Sequence, residues 1–210
     1  MNGKWGIAWL VIALGSLSGC AGMSSEECVA SDWSAVGFED GARGYNTDRF
    51  GKHRKACAKH GVTADFSAYQ QGRDQGLVEY CQPNRGFNVG SNGGSYNGVC
   101  SVNLEADFLD AYNAGHRLYV LRSNVSRATS SIQSKENELD RIEKKLISSG
   151  AAIIADETTT EGRVLLLAEM KNLAERTGQL QSEIKDLHDV RARNEVELEH
   201  YQAVVAHMGY

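Results

Sequence analysis

From Leu104 to the last residue the chain has no proline, and its apolar residues fall into two heptad series. The first places Leu118, Val125, Ile132, Leu139 and Leu146 at one seam position and Leu121, Ala128 and Ile142 at the other. The second runs through Leu166, Leu173, Leu180, Leu187, Tyr201 and Met208, with Met170, Ile184, Leu198 and Val205 beside them. A repeat of this kind is satisfied by a long helix that hides one stripe against another helix. Lys135 interrupts the first seam and Arg191 and Asn194 the second, at a cost in stability that can fix register. Ser148 to Thr160, with Gly150 inside it, breaks the pattern. A link of about a dozen residues suits an antiparallel hairpin of helices about 60 to 75 Å long. Each helix then hides only one stripe, which leaves a second copy or another protein as a partner for the rest.

The start of the chain carries an address. Met1, Asn2, Gly3 and Lys4 precede an apolar run from Trp5 to Leu17, the charge-then-hydrophobe order of a secretory leader. The run is too short to span a bilayer core, which needs on the order of 20 apolar residues. It closes on Leu17, Ser18, Gly19 and Cys20, which resembles the lipobox of bacterial lipoproteins. The resemblance implies cleavage after residue 19, a diacylglycerol thioether on Cys20 and acylation of its freed amine with a chain such as palmitate. Two or three acyl chains, at about 0.8 kcal/mol per buried methylene, anchor stably where one would not. Neither Ala21 nor Gly22 is the aspartate that holds such proteins at the inner membrane, so the resemblance favours the periplasmic face of the outer membrane.

Without residues 1–19, about 190 residues remain, enough for one domain or for a small domain with an extended appendage. The chain holds 22 basic and 27 acidic residues, for a net charge of −5. Loss of Lys4 with the leader makes the body slightly more acidic, and that sign together with export argues against nucleic acid as a partner. Besides Cys20 there are Cys28, Cys57, Cys81 and Cys100, which in an oxidising compartment read as two disulfides with three possible connectivities.

The first half is organised by glycine. Ser24 to Ser31 is small and polar, a short tether. Trp33, Gly37 and Gly41 then recur every fourth residue, one stripe of a helix. Glycine costs about 1 kcal/mol against alanine inside a helix, so the stripe reads as a ligand groove or, more simply, as a seat for another backbone. Asn46 to Asp48 offers caps for a second helix, Arg49 to His60, closed by Gly61. If it folds back on the first, Cys28 meets Cys57. A third helix runs from about Ala64, capped by Thr63, to Cys81, and ends before Pro83. Gln82 to Cys100 mixes five glycines with Asn84, Asn88, Asn92 and Asn97, a composition for turns or a small hairpin. A Cys81–Cys100 bridge would close that loop and stabilise it by about 3 kcal/mol. Phe66, Ala68, Tyr69, Gly72 and Gly76 echo Phe108, Ala111, Tyr112 and Gly115, and Trp33, Gly37 and Gly41 do so more loosely. These read as like packing faces that meet in one core.

His53, Cys57 and His60 share a helical face at zinc-compatible spacing. A cystine at Cys57 and the neighbouring Lys52, Arg54, Lys55 and Lys59 both argue against a cation there, so no metal and no cofactor is assigned. The basic run reads as a solvated face or as a contact for lipid headgroups and anionic polymers. A Cys57 nucleophile with His53 or His60 as base lacks a recognisable orienting acid, and no catalytic residue is assigned. Glu39 and Asp40, ahead of Arg43, suit local helix pairing as readily as acid–base work.

Several stretches together carry a family resemblance. They are Cys28 to Trp33, Gly37-Phe38-Glu39-Asp40-Gly41-Ala42-Arg43-Gly44, His53-Arg54-Lys55-Ala56-Cys57, Tyr69-Gln70-Gln71-Gly72-Arg73-Asp74-Gln75-Gly76-Leu77, Tyr80-Cys81, Gly94 to Cys100 and Phe108 to Leu118. Over about 28–120 the chain resembles the proteobacterial lipoproteins grouped as domain of unknown function 2799. The resemblance implies that the four cysteines and the glycine faces form one unit, and it implies no activity.

The expected architecture is therefore mainly α. A leader (1–19) and a lipidated tether (20–31) precede a disulfide-stapled helical head with a Gly-rich loop (32–120) and a long antiparallel coiled-coil hairpin (121–210). The expected function is that of a non-enzymatic envelope lipoprotein, anchored by lipid, whose hairpin engages itself or another envelope protein. The competing expectation is a cell-wall or polysaccharide-binding module built on Trp33, Tyr69, Tyr96 and Tyr112 beside the Gly-rich loop.

Overall fold

A computed structural model describes residues 23–209; the leader and Cys20 lie outside the described residues. The described chain is all helical: α1 (Ser25–Ala30), α2 (Trp33–Ala42), α3 (Asp48–Ala58), α4 (Phe66–Tyr80), α5 (Pro83–Ser91), α6 (Val102–Ile154) and α7 (Thr160–Met208). Three helix pairs make the molecule: α2 on α4, α5 on α6, and α6 on α7.

Local chemistry sets the boundaries. Ser24 and Glu27 form a reciprocal capping box that starts α1, so part of the expected tether is helical. Asp32 caps α2 through the Ser34 and Ala35 N–H groups. Asp65, two residues later than expected, caps α4 through the Ala68 N–H. Pro83 opens α5, where its missing N–H costs nothing, and the run expected to form turns is instead a helix of 9 residues.

The glycines of α5 belong to a helix crossing. Gly86 and Gly90 lie against the carbonyl oxygens of Phe108 and Tyr112 in α6, and Gly115 lies against that of Phe87; a Cβ at any of them would overlap the facing backbone. The α2/α4 crossing is built in the same way. Gly37 and Gly41 face the carbonyls of Tyr69 and Arg73, while Gly72 and Gly76 face those of Ser34 and Phe38.

The likeness of the two crossings extends to their ends. Gly37-Phe38-x-x-Gly41-x-x-Gly44 and Gly86-Phe87-x-x-Gly90-x-x-Gly93 occupy equivalent places. Gly44 and Gly93 both take positive φ (70° and 72°), with the rings of Tyr80 and Tyr119 in the space a side chain would need. On the facing helices, Tyr69, Gly72, Arg73, Gly76 and Tyr80 correspond to Phe108, Ala111, Tyr112, Gly115 and Tyr119. Arg73 donates to the Tyr45 carbonyl at 2.9 Å and Tyr112 to the Gly94 carbonyl at 3.0 Å, each just past its positive-φ glycine.

The head is thus a tandem of two like units. Each has a disulfide joining the approach to its first helix with the approach to its second: Cys28–Cys57 and Cys81–Cys100. The cores are also two. Cys28, Trp33, Phe50, Cys57 and Tyr69 form one, and Leu77, Tyr80, Cys81, Cys100 and Phe108 the other. This corrects the expectation of a single core and the alignment of the echo, which paired Tyr69 with Tyr112 and missed α5.

The hairpin follows without a joint. α6 is the second helix of the second unit and the first helix of the arm, and no break falls at 120–121. Its 53 residues span about 80 Å, and the 49 of α7 about 74 Å. It also continues through Gly150, which was expected to lie in the link. The turn is only 155–159, held by Thr158 Oγ1 on the Ala152 carbonyl (2.6 Å) and by Arg163 on the carbonyls of Ala155 and Thr158 (both 3.2 Å).

The seam buries Leu118, Leu121, Ala128, Ile132 and Ile142 of α6 against Leu180 and Tyr201 of α7 and half-buried neighbours. Lys135, the polar interruption, pairs with Glu183, while Arg176 meets Glu138 at 2.8 Å. At the head end, Tyr201 donates to the Ala114 carbonyl at 3.0 Å under the Arg117 guanidinium, so the free end of α7 returns to the glycine-crossed part of α6.

Candidate functional site

The densest polar cluster lies where α2, α3 and α4 meet. Asp40, on the same turn of α2 as Gly37 and Gly41, is 5% exposed. Its carboxylate accepts from the Tyr69 hydroxyl of α4 at 2.9 Å and bonds His53 Nε2 of α3 at 2.8 Å. The Arg49 guanidinium stands 3.7 Å from its other oxygen and 4.7 Å from the centre of the Tyr45 ring.

The cluster follows from the crossing. With glycines at 37, 41, 72 and 76 the backbones of α2 and α4 approach closely, and Asp40 and Tyr69 are driven together at the edge of the contact. Desolvation and the acceptor Asp40 both hold the Tyr69 hydroxyl well above its ordinary range, desolvation contributing more. The phenol is therefore a proton-holding donor at physiological pH. A buried carboxylate so surrounded fixes α3 to the α2/α4 pair, and the Cys28–Cys57 bridge fixes its other end.

The expected site residues divide between the two cores. Trp33 packs edge-on against Phe50 (6.1 Å), which in turn meets Tyr69 (4.9 Å), and both Trp33 and Tyr69 are buried. Tyr96 and Tyr112 flank Phe108 in the second unit. Their hydroxyls are engaged as well. That of Tyr96 donates to Glu105 at 2.8 Å and accepts from the Cys100 N–H, and that of Tyr112 donates to the Gly94 carbonyl. The structure does not bring these four aromatics to one surface.

His53, Cys57 and His60 are likewise not gathered as a ligand set. The Cys57 sulfur is in a cystine and His53 is turned to Asp40, while His60 lies beyond the helix on the exposed side. Among the described residues no group of three His, Cys, Asp or Glu is placed to hold a metal ion. Asp40 is the residue that sequence reasoning missed, having been assigned to pairing with Arg43. Glu39 makes that pair, at 3.2 Å. The available signal was the position of Asp40 beside Gly41, on the stripe that packs inward.

A shallow cleft of about 360 Å³ borders the second disulfide, between Asp74, Leu77 and Val78 of α4 and Val99, Ser101 and Leu104. Among the described residues no helix is long and apolar enough to cross a membrane. A last exposed feature is at the far end of the arm, where Ile147, Ile154, Val164, Leu165 and Leu167 are each between 56% and 78% exposed.

No curated protein and no solved structure matches the chain. The family model described as a protein of unknown function, DUF2799, matches residues 32–117, from the N-cap of α2 to one residue short of the first heptad leucine. The tandem of glycine-crossed helix pairs is therefore the part of the chain that matches the DUF2799 domain, residues 32–117.

Proposed function

We propose that this protein is a lipid-anchored envelope lipoprotein with a structural, protein-interaction role rather than an enzymatic one. On this reading the disulfide-stapled head sits at the periplasmic face of the outer membrane. From there it holds the hairpin out as an arm. The observation that carries the reading is α6, one uninterrupted helix shared by head and arm. Its 37 residues from Leu118 to Ile154 lie beyond the head, so the tip stands about 54 Å from it at a fixed angle. A chain that had only to fold a small domain would not need such a projection.

The cystines support an oxidising compartment. The lipobox-like Leu17-Ser18-Gly19-Cys20 supports the anchor, and no more than two residues separate Cys20 from Met23, which packs on the first core. The head therefore lies close against whatever surface holds the acyl chains.

The test is metabolic labelling with a palmitate analogue in the native host, with fractionation of the membranes. Label on the full chain, its loss in Cys20→Ala, and recovery with the outer membrane are the expected results. An unlabelled chain that keeps its leader, or whose other four cysteines alkylate freely, would overturn the proposal.

A further inference from the structure

We infer that the tip of the hairpin is a self-association surface, pairing with the tip of a second copy of this chain. The inference deepens the arm's part of the proposed function and rests on that reading only for where the copies meet. Ile147, Ile154, Val164, Leu165 and Leu167 are 68%, 78%, 61%, 71% and 56% exposed, and all lie within the last turns of α6 and the first of α7. Ile147, Ala151 and Ile154 follow one another at helical spacing on a single stripe. The Lys145–Glu169 pair sets the register of the two helices, which brings Ile147 level with Leu167. The patch thus extends from one helix to the other.

Area and charge both favour a second copy. Leu165 lies about 200° around α7 from Leu167 and faces the other flank; the remaining four side chains, Ile147, Ile154, Val164 and Leu167, expose on the order of 400 Å² of carbon, and a two-fold pairing would remove about twice that from water. With its polar rim such a contact reaches about 1,200 Å², the lower edge of a specific interface, and its affinity falls in the micromolar range. Asp156, Glu157 and Glu161 stand exposed at the turn, and the exposed Lys144, Lys145 and Lys171 lie about 15 Å further down the arm. Overlap of two antiparallel tips by that length sets the acids of each copy beside the lysines of the other. Lys144 and Lys171 have only exposed partners on their own helices, Asp140 and Glu175, and such surface pairs hold weakly.

Other occupants fit less well. The extreme tip is acidic, which an anionic lipid surface would repel. Further down, the outer face of α6 carries Gln133, Ser134, Glu136, Asn137, Asp140 and Arg141, all exposed, so side-by-side pairing through this stretch of α6 has no apolar stripe to use.

The experiment places single cysteines in the full chain, in native membranes, and crosslinks them with a water-soluble bis-maleimide; the parent chain is the control for any free native thiol. Ile154→Cys and Leu167→Cys are expected to give a product of twice the chain mass. Val196→Cys, equally exposed at 68% but far from the tip, is expected to stay monomeric. Ile147→Glu with Val164→Glu in the Ile154→Cys background is expected to cut the dimer at least ten-fold; both sites are exposed, so the fold persists. Absence of a dimer at both tip positions, equal crosslinking at Val196→Cys, or a product joined to a different protein would each overturn the inference. So would tip cysteines that the reagent cannot reach, which would mark a lipid contact. The palmitate result is independent of all these outcomes, so failure of the anchor and failure of the tip pairing are told apart.

Discussion

A methyl group on Gly72 would overlap the Ser34 carbonyl, and because the obstacle is backbone it cannot swing aside. Gly72→Ala is therefore expected to destabilise the head by about 3 kcal/mol or more in thermal or urea unfolding. Gly178, in α7, has open space around the same position, and Gly178→Ala is expected to stabilise by about 1 kcal/mol. The same residue type thus changes sign with its setting. Asp40 sets a second test at this scale. Tyr69, Tyr80 and Tyr96 all have hydroxyls held above the ordinary value of 10.0, first of all by burial. The folded state keeps these protons while the unfolded chain releases them. Their contribution to stability is whole below pH 10 and is lost as pH rises from there through the folded values. Stability measured across that alkaline range should fall with pH, and Tyr69→Phe should flatten the fall. Asp40→Ala, which leaves the buried Tyr69 hydroxyl without its acceptor, should cost about 1 to 3 kcal/mol at neutral pH.

Each crossed pair is held by a staple at one end and by glycine contact along its length. Cys81→Ser with Cys100→Ser removes a loop closure across 19 residues and is expected to cost about 3 kcal/mol. Hydrogen exchange should speed first in α5, whose helix has few resources of its own. That weakness is also why α5 was not legible beforehand. Asn84, Gly86, Asn88 and Gly90 are poor helix formers, and the helix exists because α6 accepts it at close range. The arm was legible because Leu118, Leu121, Ile132 and Ile142 repeat an apolar position that no other fold can use, and all four are buried. The start of the link was misjudged by about two turns because Gly150 faces open space and costs little where it stands. The pairing of Cys28 with Cys57 could be read from helix order. The Asp40–His53–Tyr69 cluster could not, because it depends on how closely α2 and α4 approach, a distance set by residues on both helices.

At the scale of the whole molecule, what matters is that nothing separates the glycine-crossed stretch of α6 from its heptads. Ser126→Pro, at an exposed position past the head, should remove a helix hydrogen bond and crowd the preceding turn, at a cost of about 3 kcal/mol. Amide protection in α2, α4 and α5 is expected to hold, while the longest dimension in solution scattering falls from a parent value that must exceed the roughly 80 Å of α6 alone. The continuity has a mechanical side. Gly86, Gly90 and Gly115 leave no side chains to cushion the contact, so α5 grips α6 main chain to main chain near its base. A rod clamped at its root converts a small pivot there into travel at its end: over about 54 Å, a tilt of one degree carries the tip sideways by about 1 Å.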